Sequence, residues 1–189
     1  SVLRARIRGV GAAACADEVE KRWAPYAYAR GHLECSSLAA WIVDALAERK
    51  TTIATAESCT GGLIGGALTD VPGSSAVYGG GVVTYSNALK TALLGVDSAV
   101  LERLGAVSEP VAVVMAMEAA RRMGADYALS ATGIAGPDGG TNEKPPGTVW
   151  IGLSDASGAM PQAFARCFHF PGTRTEVRRR TVLSALQLF

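Results

Sequence analysis

Residues 52–64 read Thr-Ile-Ala-Thr-Ala-Glu-Ser-Cys-Thr-Gly-Gly-Leu-Ile. A short apolar, β-branched run gives way to residues bearing hydroxyl and thiol groups. A glycine-punctuated segment with apolar positions at helical spacing then follows. That order of properties predicts a strand, a sharp turn and the start of a helix. It puts Ser58 just beyond the carboxyl end of a strand, where the following helix directs free N–H groups into the turn. A hydroxyl there serves as a nucleophile beside an oxyanion site, as a helix cap, or as a phosphate contact.

The segments downstream extend this unit into a domain. Ser36 or Ser37 can cap a first helix carrying Leu38, Ile42, Ala45 and Leu46 on one face. Residues 77–85 read as a second strand, with Gly79, Gly80 and Gly81 marking a bulge or a close backbone approach. Ser86 and Asn87 cap a helix that Gly95 stops, and a short helix spans 98–104. Ser108, Glu109 and Pro110 open a long amphipathic helix to Met123. A third strand covers 127–131, a glycine-rich loop 132–141, and a hairpin 148–154 and 163–170. Thr173 caps a final helix with Arg178, Arg179 and Arg180 expected on its solvated side. The expected fold class is α/β, a three-layer α/β/α sandwich with a mixed, mostly parallel sheet. Residues 35–189 are expected to form that domain, with residues 1–34 an N-terminal extension of unassigned role.

Composition narrows the function. The chain of 189 residues has 49% apolar and 19% charged residues, which excludes a disordered chain. A net charge of +1 gives no electrostatic case for a nucleic acid or membrane partner. Cys15, Cys35, Cys59 and Cys167 form no paired motif and read as reduced thiols, so a cytoplasmic location is expected. With His32 and His169 the only histidines, neither a metal nor a cofactor is expected. No apolar run approaches the ~18 residues of a membrane span.

Three polar clusters follow predicted strands: Glu57-Ser58-Cys59-Thr60, Tyr85-Ser86-Asn87 with Lys90, and the loop from Thr132 to Thr141. If those strands are parallel, the clusters meet at one edge of the sheet, where open α/β folds bind ligands. Counted from Asn87 as the cap, Lys90 is the third helical residue, where the macrodipole disfavours a cation. Burial there lowers its pKa, and a neutral lysine can take the proton of a serine hydroxyl. The plainer readings are a solvated helix lysine for Lys90 and a helix cap for Ser58. Cys59 competes as nucleophile only in an electropositive setting; otherwise it is a small buried thiol. Thr60 suits a cap or a ligand contact, and Glu57 an acid–base role, a turn-orienting role or a cation pair. The glycines of the loop offer unobstructed backbone N–H groups to a phosphate or carboxylate. Arg174, in the first turn of the last helix, fits either a phosphate or the surface.

Several segments together resemble the C-terminal domain family of the competence/damage-inducible protein CinA. They are residues 55–62 (Thr-Ala-Glu-Ser-Cys-Thr-Gly-Gly), 80–87 (Gly-Gly-Val-Val-Thr-Tyr-Ser-Asn) with Lys90, 93–96, 105–109, 130–137 (Ser-Ala-Thr-Gly-Ile-Ala-Gly-Pro), 139–141 and 144–149. The family includes the stand-alone nicotinamide-nucleotide amidohydrolase PncC. The resemblance implies metal-independent hydrolysis of the carboxamide of nicotinamide mononucleotide (NMN) to nicotinate mononucleotide and ammonia, in pyridine nucleotide salvage. It implies Ser58 as nucleophile, Lys90 as base, and Tyr85 and Thr132 in the active site. The expected substrate contacts are Glu57, Cys59, Thr60, Gly61, Thr132, Gly133, Gly136, Gly139, Gly140 and Arg174. A homodimer is also expected. The alternative from another class is a non-catalytic nucleotide-binding or interaction module linked to competence or DNA damage. It accounts for the fold and the loop, but not for a lysine placed near an exposed serine.

Overall fold

The computed structural model describes residues 35–189; the expected extension at 1–34 lies outside the described residues. The elements are α1 (Cys35–Arg49), β1 (Ile53–Glu57), α2 (Leu63–Thr69), a 3-10 turn (Ser74–Ala76), β2 (Tyr78–Val83), α3 (Asn87–Leu94), α4 (Ser98–Leu104), α5 (Glu109–Met123), β3 (Tyr127–Gly133), β4 (Thr148–Asp155), β5 (Gln162–His169) and α6 (Arg174–Leu188). They build one sheet of order β2-β1-β3-β4-β5. β1 pairs parallel with both β2 and β3, and the β3–β4 and β4–β5 pairs are antiparallel. Only β4 therefore runs against the other four strands.

Helices α1, α2 and α6 pack together on one face, and α3, α4 and α5 on the other. All five residues of β1 are buried, as both faces of a central strand require. Ala54, Ala56 and Ala128 pack with Leu94, Val111, Met115 and Ala119 in the layer beneath α5. Small side chains there let α5 approach the sheet closely. Ser130 Oγ donates to the Ala112 carbonyl at 2.6 Å, and a Cβ on Gly152 would stand 2.6 Å from that same oxygen. Because strand side chains alternate, Thr55 and Glu57 face the α2 layer and Ser58 returns to the α3 layer.

The glycine-rich β2 shows both features expected of it. Its register against β1 slips between Ile53 and Ala54, which places an extra residue at Gly79. Gly81 lies against the Thr55 backbone, whose carbonyl oxygen would be 2.8 Å from an added Cβ.

Three boundaries and one buried face differ from the sequence expectation. α1 begins at Cys35, ahead of Ser36 and Ser37, so neither serine caps it. Its buried face also takes in Ala39 and Val43, with Ala45 only half-buried. The cap of α3 is Ser86, whose Oγ accepts from the Leu89 N–H at 3.2 Å; Lys90 is thus the fourth helical residue. β3 continues through Thr132 and Gly133, which pair with Trp150 and Val149 of β4.

Candidate active site

The carboxyl ends of β1, β2 and β3 lie side by side, and the sheet ladder runs one step past β1. Ser58 N–H donates to the Ala131 carbonyl at 2.9 Å, and Thr84 N–H to the Glu57 carbonyl at 2.8 Å. Ser58 is thereby fixed between the ends of two parallel neighbours. The next residues close a tight turn in which Gly61 N–H donates to the Ser58 carbonyl at 3.0 Å. Gly61 and Gly62 then take φ of 61° and 95°, a left-handed pair that L residues adopt only with strain.

Lys90 reaches this turn from α3. Its Nζ donates to Ser58 Oγ at 3.0 Å and to the Thr84 carbonyl at 2.8 Å. The residue is 1% exposed, and both of these partners are neutral oxygens. Lysine is rarely buried to this degree without a carboxylate. Burial pushes its pKa below the ordinary lysine value, since desolvation disfavours the ammonium. The amine is consequently poised to exchange a proton with the hydroxyl it touches.

Cys59 sits against the same serine but in a different state. Burial pushes its thiol up to about 11, opposed in part by Lys90 and Arg178. The protonated form dominates at neutral pH, so the thiol behaves as a buried apolar group. The N–H groups of Cys59 and Thr60 donate to no carbonyl or carboxylate among the described residues. The hydroxyls of Thr60 and Thr84 are likewise buried without a hydrogen-bond partner.

Arg174 bridges two of the clusters. It donates to the Tyr85 hydroxyl at 2.6 Å and to the Gly136 carbonyl at 3.2 Å. Tyr85 is itself exposed.

A family model of the CinA C-terminal domain matches residues 35–189. The chain belongs to the CinA C-terminal domain family. The PncC nicotinamide-nucleotide amidohydrolase of Escherichia coli is 47% identical over 154 residues, which cover 82% of this chain and 92% of that protein. A CinA-like protein of Mycolicibacterium vanbaalenii is 52% identical over 147 residues, covering 78% of this chain. The chain spans about a third of the length of that protein (34%) and of its CinA-like relatives. Among solved structures, the competence/damage-inducible protein CihA of Agrobacterium tumefaciens superposes with a TM-score of 0.79 and 40% identity, over 85% of this chain and 96% of that one. A CinA superfamily protein of Escherichia coli does so at 0.77 and 33%, over 85% and 92%.

In this CinA C-terminal domain, not every residue expected at the substrate lies open to it. Glu57 is buried and turned away: its carboxylate accepts from Gly62 N–H at 3.0 Å, Ile64 N–H at 3.0 Å and Gly65 N–H at 2.8 Å. It caps α2 in place of a side chain at Gly62, so the free N–H groups of that helix point at Glu57 and not at Ser58. Of the turn amides, Gly61 N–H is already engaged on Ser58. Thr132 lies on the strand position next to Ser58, but it is buried and its hydroxyl donates to the Ala106 carbonyl at 2.9 Å. Gly133 belongs to β3, where a Cβ would collide with Val149, and Gly140 packs against Pro146. Both glycines answer to close packing. Gly136 (φ 79°) and Gly139 (φ 87°) remain loop residues, and a Cβ on Gly139 would meet nothing within 4 Å.

One residue of the site was assigned elsewhere by sequence reasoning. Arg178 is half-buried, and its guanidinium donates to the Cys59 carbonyl at 3.1 Å and the Thr60 carbonyl at 2.8 Å. Its only local signal, four-residue spacing from Arg174 on one helix face, is hidden inside a run of three arginines.

Proposed function

We propose that this chain is a nicotinamide-nucleotide amidohydrolase that hydrolyses the carboxamide of NMN to nicotinate mononucleotide and ammonia. The observation that carries the reading is the 3.0 Å approach of a buried lysine amine to the Ser58 hydroxyl. The 47% identity to PncC over most of both chains supports the substrate.

In this reading the neutral Lys90 amine takes the Ser58 proton as Oγ attacks the carboxamide carbon. The N–H of Cys59, with that of Thr60 behind it, meets the negative oxygen of the tetrahedral intermediate. Each such donor contributes roughly 2.7–4 kcal/mol to the transition state. The Lys90 ammonium then passes its proton to the departing nitrogen, which leaves as ammonia. Lys90 next takes a proton from water as that water attacks the acyl ester, and returns it to Ser58. The 5′-phosphate lies by Arg174 and the loop at Gly136 and Gly139, with Tyr85 between phosphate and ring. We further propose that residues 35–189 act as a unit, as a cytoplasmic homodimer. The apolar side chains of Leu89 and Leu93, exposed one turn apart on α3, support the dimer.

The test is ammonia release from NMN in the presence of EDTA, for wild type beside Ser58→Ala. Release by wild type alone is expected. A Ser58→Ala protein with near-normal turnover sinks the nucleophile. NMN binding by a folded wild type that releases no ammonia would favour the non-catalytic binding module.

A further inference from the structure

The turn that carries Ser58 has three peptide planes, and each is held by a different bond. Gly61 N–H holds the Ser58 carbonyl. Arg178 holds the Cys59 carbonyl through Nε and shares the Thr60 carbonyl, through Nη2, with the Leu63 N–H at 3.4 Å. A trans peptide sets its N–H opposite its carbonyl. The clamp on the Cys59 oxygen therefore points the Thr60 N–H away from α6. By keeping Thr60 and Gly61 in place, the clamp also preserves the Gly61 bond that orients the Cys59 N–H. These two amides are the ones without a carbonyl or carboxylate partner among the described residues. A guanidinium on an amide oxygen also polarises that amide, which strengthens its N–H as a donor.

The clamp is built with care for its register. Thr173 and Glu176 form a reciprocal capping box that fixes where α6 begins, and Arg178 follows one turn later. Lysine could not replace the arrangement, because one ammonium lacks the planar fork that meets two carbonyls at once.

We propose that Arg178 is a positioning residue for the Ser58 turn: by clamping the carbonyls of Cys59 and Thr60, its guanidinium aims the N–H groups of Cys59 and Thr60, which no carbonyl or carboxylate takes, at the oxyanion formed on Ser58. The proposal rests on the reading of Ser58 as nucleophile. It differs from a helix-docking role in what it alters, namely the transition state and not substrate binding.

The experiment measures NMN turnover, thermal stability and the backbone amide resonances of Thr60 and Gly61 in Arg178→Met and Arg178→Lys. Losing the aim of an oxyanion site that is worth on the order of 100-fold per donor should lower kcat at least ~10-fold in Arg178→Met, with KM within ~3-fold. Arg178→Lys should fall between, and added methylguanidinium should restore part of the Arg178→Met rate. An unchanged kcat, or a loss carried wholly by KM, overturns the proposal while leaving the amidohydrolase reading intact. The amide resonances need no substrate. If wild type proves inactive on NMN, displaced Thr60 and Gly61 signals in both variants still support the clamp, and unmoved signals refute it. Should Arg178→Met fail to fold, Arg178→Lys carries the same two readouts.

Discussion

The Thr84 carbonyl accepts from Lys90 Nζ at 2.8 Å, and this bond aims the amine at Ser58. Thr84 follows directly on β2 and its N–H is tied to the end of β1, so the lysine is referenced to the same strand that presents the serine. Acceptor and target are both neutral, and the amine sits in a position where losing a proton is easier than in water.

That placement predicts a pH dependence with a defined sign. If Lys90 is the base, kcat/KM should rise with pH through an inflection below the ordinary lysine value of 10.5, since burial lowers this pKa. Stability should move the same way. Below the folded pKa the buried ammonium imposes its full penalty. Between the folded and unfolded values the unfolded chain binds more protons, so stability climbs with pH. Lys90→Met should flatten this climb in urea titrations at pH 7 and pH 10. A variant that kept the wild-type slope would assign the titration to another group.

Cys59 and Cys167 should react differently with an alkylating agent. Burial raises the Cys59 thiol to about 11, whereas Cys167 is exposed on β5. Iodoacetamide at neutral pH should modify Cys167 in the folded protein and spare Cys59, as read by peptide mass spectrometry. If only its backbone is used, Cys59→Ala should keep turnover within ~5-fold. Abolished turnover in a folded Cys59→Ala protein would reopen the thiol as nucleophile.

Arg174 offers a test of substrate orientation. If it meets the phosphate, Arg174→Ala should raise KM for NMN by about 10-fold or more, the worth of a charge-assisted hydrogen bond. Nicotinamide riboside, which lacks the phosphate, should be turned over equally by wild type and variant. Equal losses on both substrates would place the phosphate elsewhere.

Two glycines of β2 separate close packing from mere flexibility. A Cβ at Gly81 would stand 2.8 Å from the Thr55 carbonyl oxygen and closer still to its hydroxyl, while one at Gly79 would meet nothing within 4 Å. Gly81→Ala should cost about 1–3 kcal/mol in urea unfolding, the usual scale of overpacking. Gly79→Ala should stay within about 0.5 kcal/mol, as exposed substitutions do. Equal effects at the two positions would contradict the described register.

The fold could be read from local pattern because each element carries its own signal. β1 is apolar and β-branched, Gly95 and Gly124 stop their helices in the left-handed conformation, and Thr173 is followed by Glu176. The meeting of the clusters at 57–60 and 85–90 needed only parallel strands in addition. What pattern could not supply was tertiary. Ser86 and Asn87 are both good caps, and only the Leu89 bond chooses Ser86. Thr132 and Gly133 read as loop until β4 is laid against them. Glu57 looks like an acid beside a nucleophile, yet strand alternation turns it to the opposite face. Arg178 looks like one of three solvated charges until α6 is docked across the Ser58 turn, 119 positions away from its Cys59 contact.

Arg174 and Arg178 ride on a single helix. Arg174 holds Tyr85 and the Gly136 loop, and Arg178 holds the turn of the serine. Lifting α6 from the sheet would loosen both ends of the cleft in one event, and seating it would order both together. If α6 docks and undocks as a unit, amides of the Ser58 turn and of the Gly136 loop should exchange with solvent at a common rate.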